Sequence, residues 1–256
     1  MSKHENIHEE IREQQKKLKD RTFREKLSYF WDYYKVHTIV TILVVIVGSI
    51  FIRDALNAKE QAFSAIMLNS YGHEYQEMFQ NDFAEYADID LNVYDCVIDT
   101  SSTLSYESMS QMDMAVSQKI TAMSQTEGID VMVSDNAPFA NFSSGMMFVD
   151  LREELSTAEY EKYESYFYYI DAALIGVEKE LVYDEEGMPV IVDESIDHSD
   201  PSTMADPMPV GIYLTDSAKL KEWHCYEGFE ESPIFGFVFS SGQKEKGHLF
   251  LEYLME

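Results

Sequence analysis

The sequence has little cysteine and few of the short motifs that mark common enzyme and cofactor sites. Cys96 and Cys225 are its only cysteines, no Cys-x-x-Cys pair of the zinc or redox type occurs, and neither does a Gly-x-Ser-x-Gly elbow or a Gly-rich phosphate loop. Beyond residue 58 the histidines lack the spacing of metal ligands: His73, His198, His224 and His248. We therefore expect no catalytic residue, no metal site and no cofactor, and the protein is predicted not to be an enzyme.

Basic residues are scarce in the long C-terminal part of the chain. Residues 59–256 carry nine Lys and Arg side chains against thirty-nine Asp and Glu, and the whole chain has a formal charge of −28. Such an acidic surface repels a phosphate backbone, which argues against nucleic-acid binding. The same charge either attracts cations, basic peptides or amines, or serves only to keep a secreted domain soluble.

A single long apolar run is present, Val36–Ile52, in which the fourteen residues from Ile39 onward are uncharged. Seventeen residues at helical rise cover roughly 25 Å, and aromatic residues such as Trp31 and Tyr34 extend the apolar reach towards the roughly 30 Å of a bilayer core. A buried helix of a soluble protein is the alternative, but such a helix normally shows a polar stripe, which is lacking here. We therefore predict one transmembrane helix over residues 36–53.

The distribution of positive charge predicts which side of the membrane each end occupies. Nine Lys and Arg residues lie within residues 1–35, whereas only Arg53 and Lys59 follow closely behind the span. Since the flank richer in positive charge stays in the cytoplasm, we predict a charged helical cytoplasmic segment and an extracellular C-terminal domain. A cleaved signal peptide would have a shorter basic start and a clear cleavage site, which Ala55 and Ala58 supply poorly. The span is thus expected to remain as an anchor.

Residues 54–61 form the predicted linker, and residues 62–256 the predicted extracellular α/β domain, with one lobe or two. Short apolar runs typical of strands alternate there with longer segments whose apolar residues recur at threes and fours, as in helices. This alternation favours a layered α/β domain with parallel strands. Its first five predicted elements, alternately strand and helix, are Ala62–Asn69, Tyr71–Tyr86, Leu91–Ile98, Ser105–Gln125 and Ile129–Val133.

The second half of the domain is less regular. Ser134–Asn141 is rich in turn residues, and Ser156–Ile170 is predicted as a helix because Ser156 and Glu159 have the spacing of a capping box. The acidic segment Asp193–Pro209 is predicted as a loop, since it lacks the residue order of a calcium-binding loop. The other predicted elements are a hairpin, a strand, a short capped helix, a strand and a final helix, at Leu181–Tyr183 with Pro189–Val192, Val210–Leu214, Asp216–Trp223, Ile234–Phe239 and Gln243–Met255.

Two groups of residues are predicted to fill the core. The cysteines are expected to be free, buried thiols, with a disulfide between them as the alternative. Methionine residues at helical spacing on Ser105–Gln125 are also assigned to the core, because such a stripe fills cores more often than it binds ligands. The positions of that stripe are Met109, Met112, Val116, Ile120 and Met123.

Two stretches resemble segments of a known family. Lys119–Leu151 contains a helix end, an Asp-Val strand, a turn with Gly and an Asp-Leu pair, and Ser240–Met255 has a polar Ser-x-x-Lys start before an aromatic and leucine face. Both look like parts of the extracellular solute-binding proteins of ABC importers, of the type II periplasmic-binding-protein class. The two stretches cover about a quarter of the outer domain. The resemblance implies an α/β architecture whose lobes close over a ligand, here reduced in size.

If the resemblance holds, the ligand site lies at the carboxyl ends of the strands, as in other open α/β sheets. The candidate residues are therefore the polar residues that directly follow the first, second and third predicted strands of the domain. The alternative is that the polar residues there are ordinary turn residues. The predicted ligand-binding residues are Ser70, Tyr71, Asp99, Ser101, Ser134, Asp135 and Asn136.

Together these observations predict a single-pass protein of a bacterial cell envelope. Its acidic extracellular domain would bind a small molecule or a peptide on behalf of an importer or a sensor, with an ABC permease as partner. The alternative is a non-enzymatic scaffold or interaction protein of the cell envelope, which binds another envelope protein and no small ligand. In both cases the membrane is the expected location, with the N-terminus in the cytoplasm.

Overall fold

The computed structural model describes residues 22–57, 59–106, 109–176, 182–183, 189–190 and 196–256. The chain divides into two compact units, and the second unit begins at Lys59. Each unit has its own internal contacts.

The described part of the first unit is one long helix, α1, Phe23–Asn57. Within it, Tyr34–Arg53 forms a stretch of 20 residues with a mean hydropathy of 2.2 and no buried residue. This stretch is long and apolar enough to cross a membrane, and the span predicted for residues 36–53 lies inside it. The predicted charged helix before the span falls mainly on residues 1–21, outside the described residues.

The described part of the second unit is an α/β fold. It contains a six-stranded mixed sheet with the strand order β2-β1-β3-β8-β7-β4, and a two-stranded hairpin, β5-β6. The strands are β1 Glu60–Met67, β2 Tyr94–Asp99, β3 Val131–Ser134, β4 Phe167–Asp171, β5 Val182–Tyr183, β6 Pro189–Val190, β7 Pro207–Tyr213 and β8 Ile234–Phe237. The helices are α2 Gln76–Tyr86, α3 Gln111–Ser124, α4 Asn136–Ser144, α5 Leu151–Glu154, α6 Thr157–Tyr163, α7 Ala218–Glu222 and α8 Lys244–Met255, with short 3-10 turns at Gly72–Tyr75, Glu164–Tyr166, Ala172–Leu174 and Pro201–Thr203.

Both faces of the sheet are covered, because buried residues of β1 alternate between two hydrophobic clusters. Phe63 on one face packs with Phe250 of α8, with ring centroids 5.1 Å apart. Ile66 on the other face belongs to the cluster that contains Phe139 of α4. The second unit is therefore a three-layer arrangement with the sheet in the middle.

The first three strands are parallel, as predicted from the alternation of strands and helices. Ile66 of β1 lies opposite Asp99 of β2, and Met67 lies opposite Val133 of β3. The remaining neighbours in the large sheet, from β3 through β8 and β7 to β4, are antiparallel. The carboxyl ends of β1, β2 and β3 therefore meet at one edge of the sheet, which is where the sequence predicts a ligand site.

The predicted helix Ser156–Ile170 is only half right. Its capping box is confirmed, since the Ser156 amide donates to Glu159 Oε2 at 2.9 Å and the Glu159 amide donates to Ser156 Oγ at 3.3 Å. However, α6 ends at Tyr163, and the aromatic run that follows forms β4 against β7. Aromatic and β-branched residues favour strands, and pairing with a neighbouring strand decides between the two states.

The segment Ser134–Asn141, predicted as a turn, instead enters a helix: α4 starts at Asn136. Asp135 is its N-cap residue in extended conformation, a position that Asp favours. Pro138 lies in the first turn, where a backbone N–H has no partner within the helix and its loss costs little. The Asp, Asn and Pro residues that predict a turn here therefore form the start of a helix.

The prediction that the methionine stripe is buried is wrong for the first half of the stripe. Only Ile120 is buried, while Met109 is 40% and Met112 is 73% exposed. Val116 and Met123 pack partly against the buried cluster. The start of α3 therefore presents apolar side chains to the surface, and the helix reaches the sheet only through its later turns.

The two cysteines are both buried and both free, as expected. Burial raises the pKa of Cys96 to about 12 and that of Cys225 to about 11. Both thiols are therefore protonated and unreactive as nucleophiles at neutral pH, because the thiolate is the reactive form.

Candidate functional site

A cleft of about 370 Å³ lies at the carboxyl ends of β1 and β3. Its volume is within the range of small-molecule sites, which is roughly 300 to 1,000 Å³. The cleft is lined by Asn69, Tyr71, Thr103, Leu104, Ser105, Tyr106, Asp113, Asp135, Ala137, Pro138 and Phe229. These residues come from the ends of β1 and β3, the loop after β2, the starts of α3 and α4, and the loop before β8.

Asn69 joins three of these segments. Its backbone has a left-handed φ of 61°, a conformation in which Asn is enriched among non-glycine residues. Its side-chain amide accepts from the Leu104 N–H at 2.7 Å and donates to the Leu104 carbonyl at 2.9 Å. The same amide donates to Asp135 Oδ1 at 2.8 Å. Asn69 therefore fixes the loop after β2 and orients the Asp135 carboxylate beside it.

Asp135 presents a half-buried carboxyl group in the cleft. Burial raises the pKa of this group, the hydrogen bond from Asn69 partly opposes that shift, and the nearby charge of Glu231 adds to it. The Oδ2 atom accepts no hydrogen bond from the side chain or backbone of another described residue, whereas Oδ1 is held by Asn69. One carboxylate oxygen is thus available to a ligand.

Asp113 supplies a second carboxylate, which is firmly ionised. Its oxygens accept from the Ser110 hydroxyl, from the Ser105 amide at 3.0 Å and from the Ser110 amide at 2.8 Å. The Ser110 side chain and these two amides lower the pKa of Asp113 to about 2. The bond from the Ser110 amide is one half of the capping box of α3, and the Asp113 amide completes the box by donating to Ser110 Oγ at 3.2 Å, so the charge is fixed at the start of that helix.

Aromatic rings also line the cleft. Tyr71 is 62% exposed, and its ring centroid lies 5.4 Å from that of Phe229. Phe229 packs edge-to-face on Tyr226, with centroids 5.5 Å apart. The buried Tyr226 hydroxyl donates to the Leu68 and Val133 carbonyls at 2.8 and 2.9 Å, which attaches this loop to the ends of β1 and β3. The aromatic wall is therefore held by the same strand ends as Asp135.

The cleft is negative in charge. Asp113 and Asp135 line it, Glu231 influences the pKa of Asp135, and none of the described residues that line it is Lys, Arg or His. The backbone N–H groups at the start of α4 provide partial positive charge, which Asp135 directly precedes and offsets. A cationic group is therefore favoured in this cleft over an anion.

Of the seven predicted ligand-binding residues, Tyr71 and Asp135 line the cleft. Asp99 lies outside it and holds its own turn, accepting from the Ser101 amide at 2.9 Å and from the Ser102 hydroxyl at 2.6 Å. Burial alone would raise the pKa of Asp99, but these serine hydrogen bonds bring it below its ordinary value. Asp99 and Ser101 therefore shape the loop after β2, whose later residues reach the cleft.

The other three predicted residues are also absent from the lining. Ser70 is buried, and its hydroxyl oxygen accepts from the Gly72 amide at 3.1 Å. Ser134 is fully buried and donates to the Asp135 carbonyl at 3.1 Å. Asn136 begins α4, and its buried Oδ1 has no hydrogen-bond partner among the described residues. None of these three side chains lines the cleft.

Asn69, Tyr106 and Phe229 line the cleft but are not among the residues predicted from the sequence. The strand pattern predicts Asn69 as the last residue of a strand. Asn is depleted in strands and tolerates left-handed turns, so the residue type itself indicates a turn at this position. Tyr106 was placed at the start of a helix, but the structure puts it in the preceding loop, where its hydroxyl donates to Asn141 Oδ1 at 3.0 Å. Nothing local marks Phe229, because its place in the cleft depends on the distant contact of Tyr226 with two strands.

Among the described residues no group of three or more His, Cys, Asp or Glu side chains is arranged to hold a metal ion. One pattern typical of zinc sites does occur in the sequence: His-Glu-x-x-His, from His4 to His8. It lies outside the described residues, in the segment predicted to be cytoplasmic.

A pH titration distinguishes the two carboxyl groups of the cleft. We expect NMR of the full chain in detergent micelles to give Asp113 a titration midpoint of about 2 and to place Asp135 above its ordinary value. Because folding lowers the pKa of Asp113, its contribution to stability is complete above its unfolded value of about 3.9 and is lost as the pH falls towards 2. Replacing its first hydrogen-bond donor, Ser110→Ala, should raise the Asp113 midpoint and leave that of Asp135 unchanged. Equal midpoints for the two groups in the wild type would contradict this geometry.

Comparison with known proteins gives no relative: no protein-family model, no curated protein and no solved structure matches the chain. The resemblance to solute-binding proteins therefore stays a prediction from the sequence.

Proposed function

We propose that the protein is a membrane-anchored binding module, whose second unit faces the outside of the cell and binds a small molecule or peptide for an importer or sensor. The observation that carries this proposal is the cleft at the carboxyl ends of β1 and β3. Ligands of open α/β sheets bind at this edge. The cleft combines a carboxylate oxygen that is free to accept a hydrogen bond with an exposed aromatic ring.

Two features support the proposed topology of the anchor. Tyr34–Arg53 could cross a membrane, and eight basic residues precede it in the chain. Under the positive-inside rule the N-terminus is cytoplasmic and the acidic second unit is extracellular. Retention of this helix as an anchor, rather than its removal as a signal sequence, is part of the proposal.

The strand order supports a reduced solute-binding architecture. Three parallel strands in the order β2-β1-β3, followed by the antiparallel β8, form the part of the sheet that carries the cleft. The described residues of the second unit contain one six-stranded sheet, and a second lobe of comparable size is not among them. We therefore propose one principal lobe, with the ligand bound at its edge.

A thermal-shift screen of the full chain in detergent tests the proposal. The panel contains sugars, amino acids, short peptides, amines and divalent cations, each for the wild type and for Tyr71→Ala. We expect at least one compound class to stabilise the wild type, since a ligand at a hundred times its dissociation constant adds about 2.7 kcal/mol. Tyr71→Ala should weaken that stabilisation, whereas the matched change at an exposed tyrosine of β2, Tyr94→Ala, should not. A panel without any stabilising compound would count against a binding module.

The second candidate function is a cell-envelope scaffold that binds another protein. It is favoured by the exposed methionines at the start of α3, because Met112 is 73% and Met114 is 44% exposed. Flexible methionine side chains are common on surfaces that bind proteins. Crosslinking in intact cells separates the two functions: a permease partner supports the binding module, and a cell-wall or signalling assembly supports the scaffold.

A further inference from the structure

We propose that the ligand of this cleft is an organic cation, with an ammonium or guanidinium group beside Asp135 and an apolar part against Tyr71 and Phe229. This inference rests on the proposed binding function and specifies the chemical class of ligand.

The Asp135 carboxylate can accept a hydrogen bond from a ligand. Asn69 occupies Oδ1 at 2.8 Å and fixes the direction of the carboxylate, while Oδ2 accepts from no other described residue. A half-buried carboxylate oxygen that accepts from no other residue is stabilised by a ligand that brings a donor, and the strongest such donors are charged N–H groups. Asp113 does not compete for that role, because its Oδ2 accepts from the Ser110 amide and hydroxyl and its Oδ1 accepts from the Ser105 amide.

The balance of charge also favours a cation. The lining contains two carboxylates and, among the described residues, no basic side chain. At this edge of the sheet Lys119 forms an ion pair with Asp99, with its Nζ 3.8 Å from Asp99 Oδ2, and Asp99 lies outside the cleft. A ligand cation would therefore be the positive partner that this carboxylate edge lacks.

The aromatic wall favours the same class of ligand. Tyr71 is 62% exposed, although an aromatic ring gains by burial, and it stands beside Phe229 with centroids 5.4 Å apart. Aromatic faces attract ammonium and guanidinium groups, and they also cover the apolar part of such ligands. The two rings and Asp135 are held by the same strand ends, so the site is preorganised rather than assembled on binding.

The experiment compares ligands of one shape and three charges, with the full chain in detergent and isothermal titration calorimetry as the measurement. Phenethylamine is the cation, phenethyl alcohol the neutral analogue and phenylacetate the anion, and agmatine adds a guanidinium group. We expect binding of the two cations only, with an affinity that falls as the ionic strength rises. A peptide with a blocked lysine side chain, compared with the same peptide carrying free lysine, decides whether the cation is a free amine or part of a peptide.

Two variants and two matched controls locate the binding. Asp135→Asn keeps the N-cap and the acceptor for Asn69 but removes the charge, and we expect it to weaken cation binding about tenfold or more. Tyr71→Ala should weaken binding about fivefold. The same changes on β2, Asp95→Asn and Tyr94→Ala, concern exposed residues outside the cleft and should leave affinity unchanged.

The outcomes separate this inference from the proposed function. Binding of the neutral or anionic analogue that Tyr71→Ala abolishes would overturn the cation proposal and leave the binding module intact. Equal cation affinity in the wild type and Asp135→Asn would also overturn it. Failure of every compound, here and in the wider panel, would contradict both the inference and the proposed function.

Discussion

Replacing Phe139 by Ala should lower the free energy of unfolding of the second unit by about 3–5 kcal/mol. Phe139 of α4 is fully buried and stacks on Phe148 with centroids 4.3 Å apart and an interplanar angle of 6°. It is the point at which α4, and with it the N-cap residue Asp135, is attached to the sheet. Denaturant unfolding of the full chain, followed by tyrosine and tryptophan fluorescence, measures the loss.

The size of this effect follows from how closely the sheet approaches the ring. Gly211 of β7 and Gly236 of β8 face Phe139, and a Cβ atom on Gly211 would lie 2.6 Å from Phe139 Cζ. The backbone therefore packs directly on the ring, and the surrounding structure has little freedom to close the cavity that Ala leaves. Phe239→Ala is the control, since Phe239 is 50% exposed, and it should change stability by less than about 0.5 kcal/mol. Similar losses for the two variants would show that Phe139 does not hold the core.

Asp130→Ala should destabilise the second unit by about 3 kcal/mol, because it leaves several polar groups without an acceptor. Asp130 is 1% exposed and accepts from the Ser64 amide at 2.8 Å, the Ser241 hydroxyl at 2.7 Å and the Gln243 amide at 3.2 Å. It thereby joins β1, the start of β3 and the loop that leads into α8. Asp130→Asn keeps the shape and should cost less than Asp130→Ala.

The pH dependence of the Asn variant tests the state of this carboxyl group. Burial raises the pKa of Asp130, against the opposing effect of its hydrogen bonds. A raised pKa means that the contribution of Asp130 to stability is complete below its unfolded value of about 3.9 and declines as the pH rises through its folded value. The stability difference between the wild type and Asp130→Asn should therefore be larger at acidic pH than at neutral pH. A difference that grows as the pH rises would mean that the charged form is the one the fold prefers.

Much of the fold could be predicted from local sequence patterns. The apolar run of α1, the strands β1, β2, β3, β7 and β8, and the final helix α8 all lie where the periodicity placed them, because each has a strong local signal. The errors occur where tertiary contacts determine the secondary structure or the burial of a residue. The run Phe167–Asp171 pairs with β7 and becomes a strand, and Met112 on α3 is exposed although its spacing predicts burial.

The candidate cleft lies at the strand ends that the sequence indicates, but only two of the seven predicted residues line it. Strand ends can be located from sequence, and Tyr71 and Asp135 follow directly from that rule. Which polar residue at a strand end faces the cleft and which supports the turn cannot be read from the chain, as Asp99 and Ser134 illustrate. Phe229 enters the cleft through the long-range bonds of Tyr226 to β1 and β3, which leave no trace in the neighbouring sequence.

We propose that α1 anchors the protein and places the acidic second unit outside the cell. The direct measurement is protease treatment of spheroplasts that produce the full chain with one epitope tag at each end, with an internal cytoplasmic protein as the control for intact membranes. We predict that protease removes the C-terminal tag and the second unit while the N-terminal tag and the cytoplasmic control survive. Survival of the second unit until the spheroplasts are lysed would contradict the account.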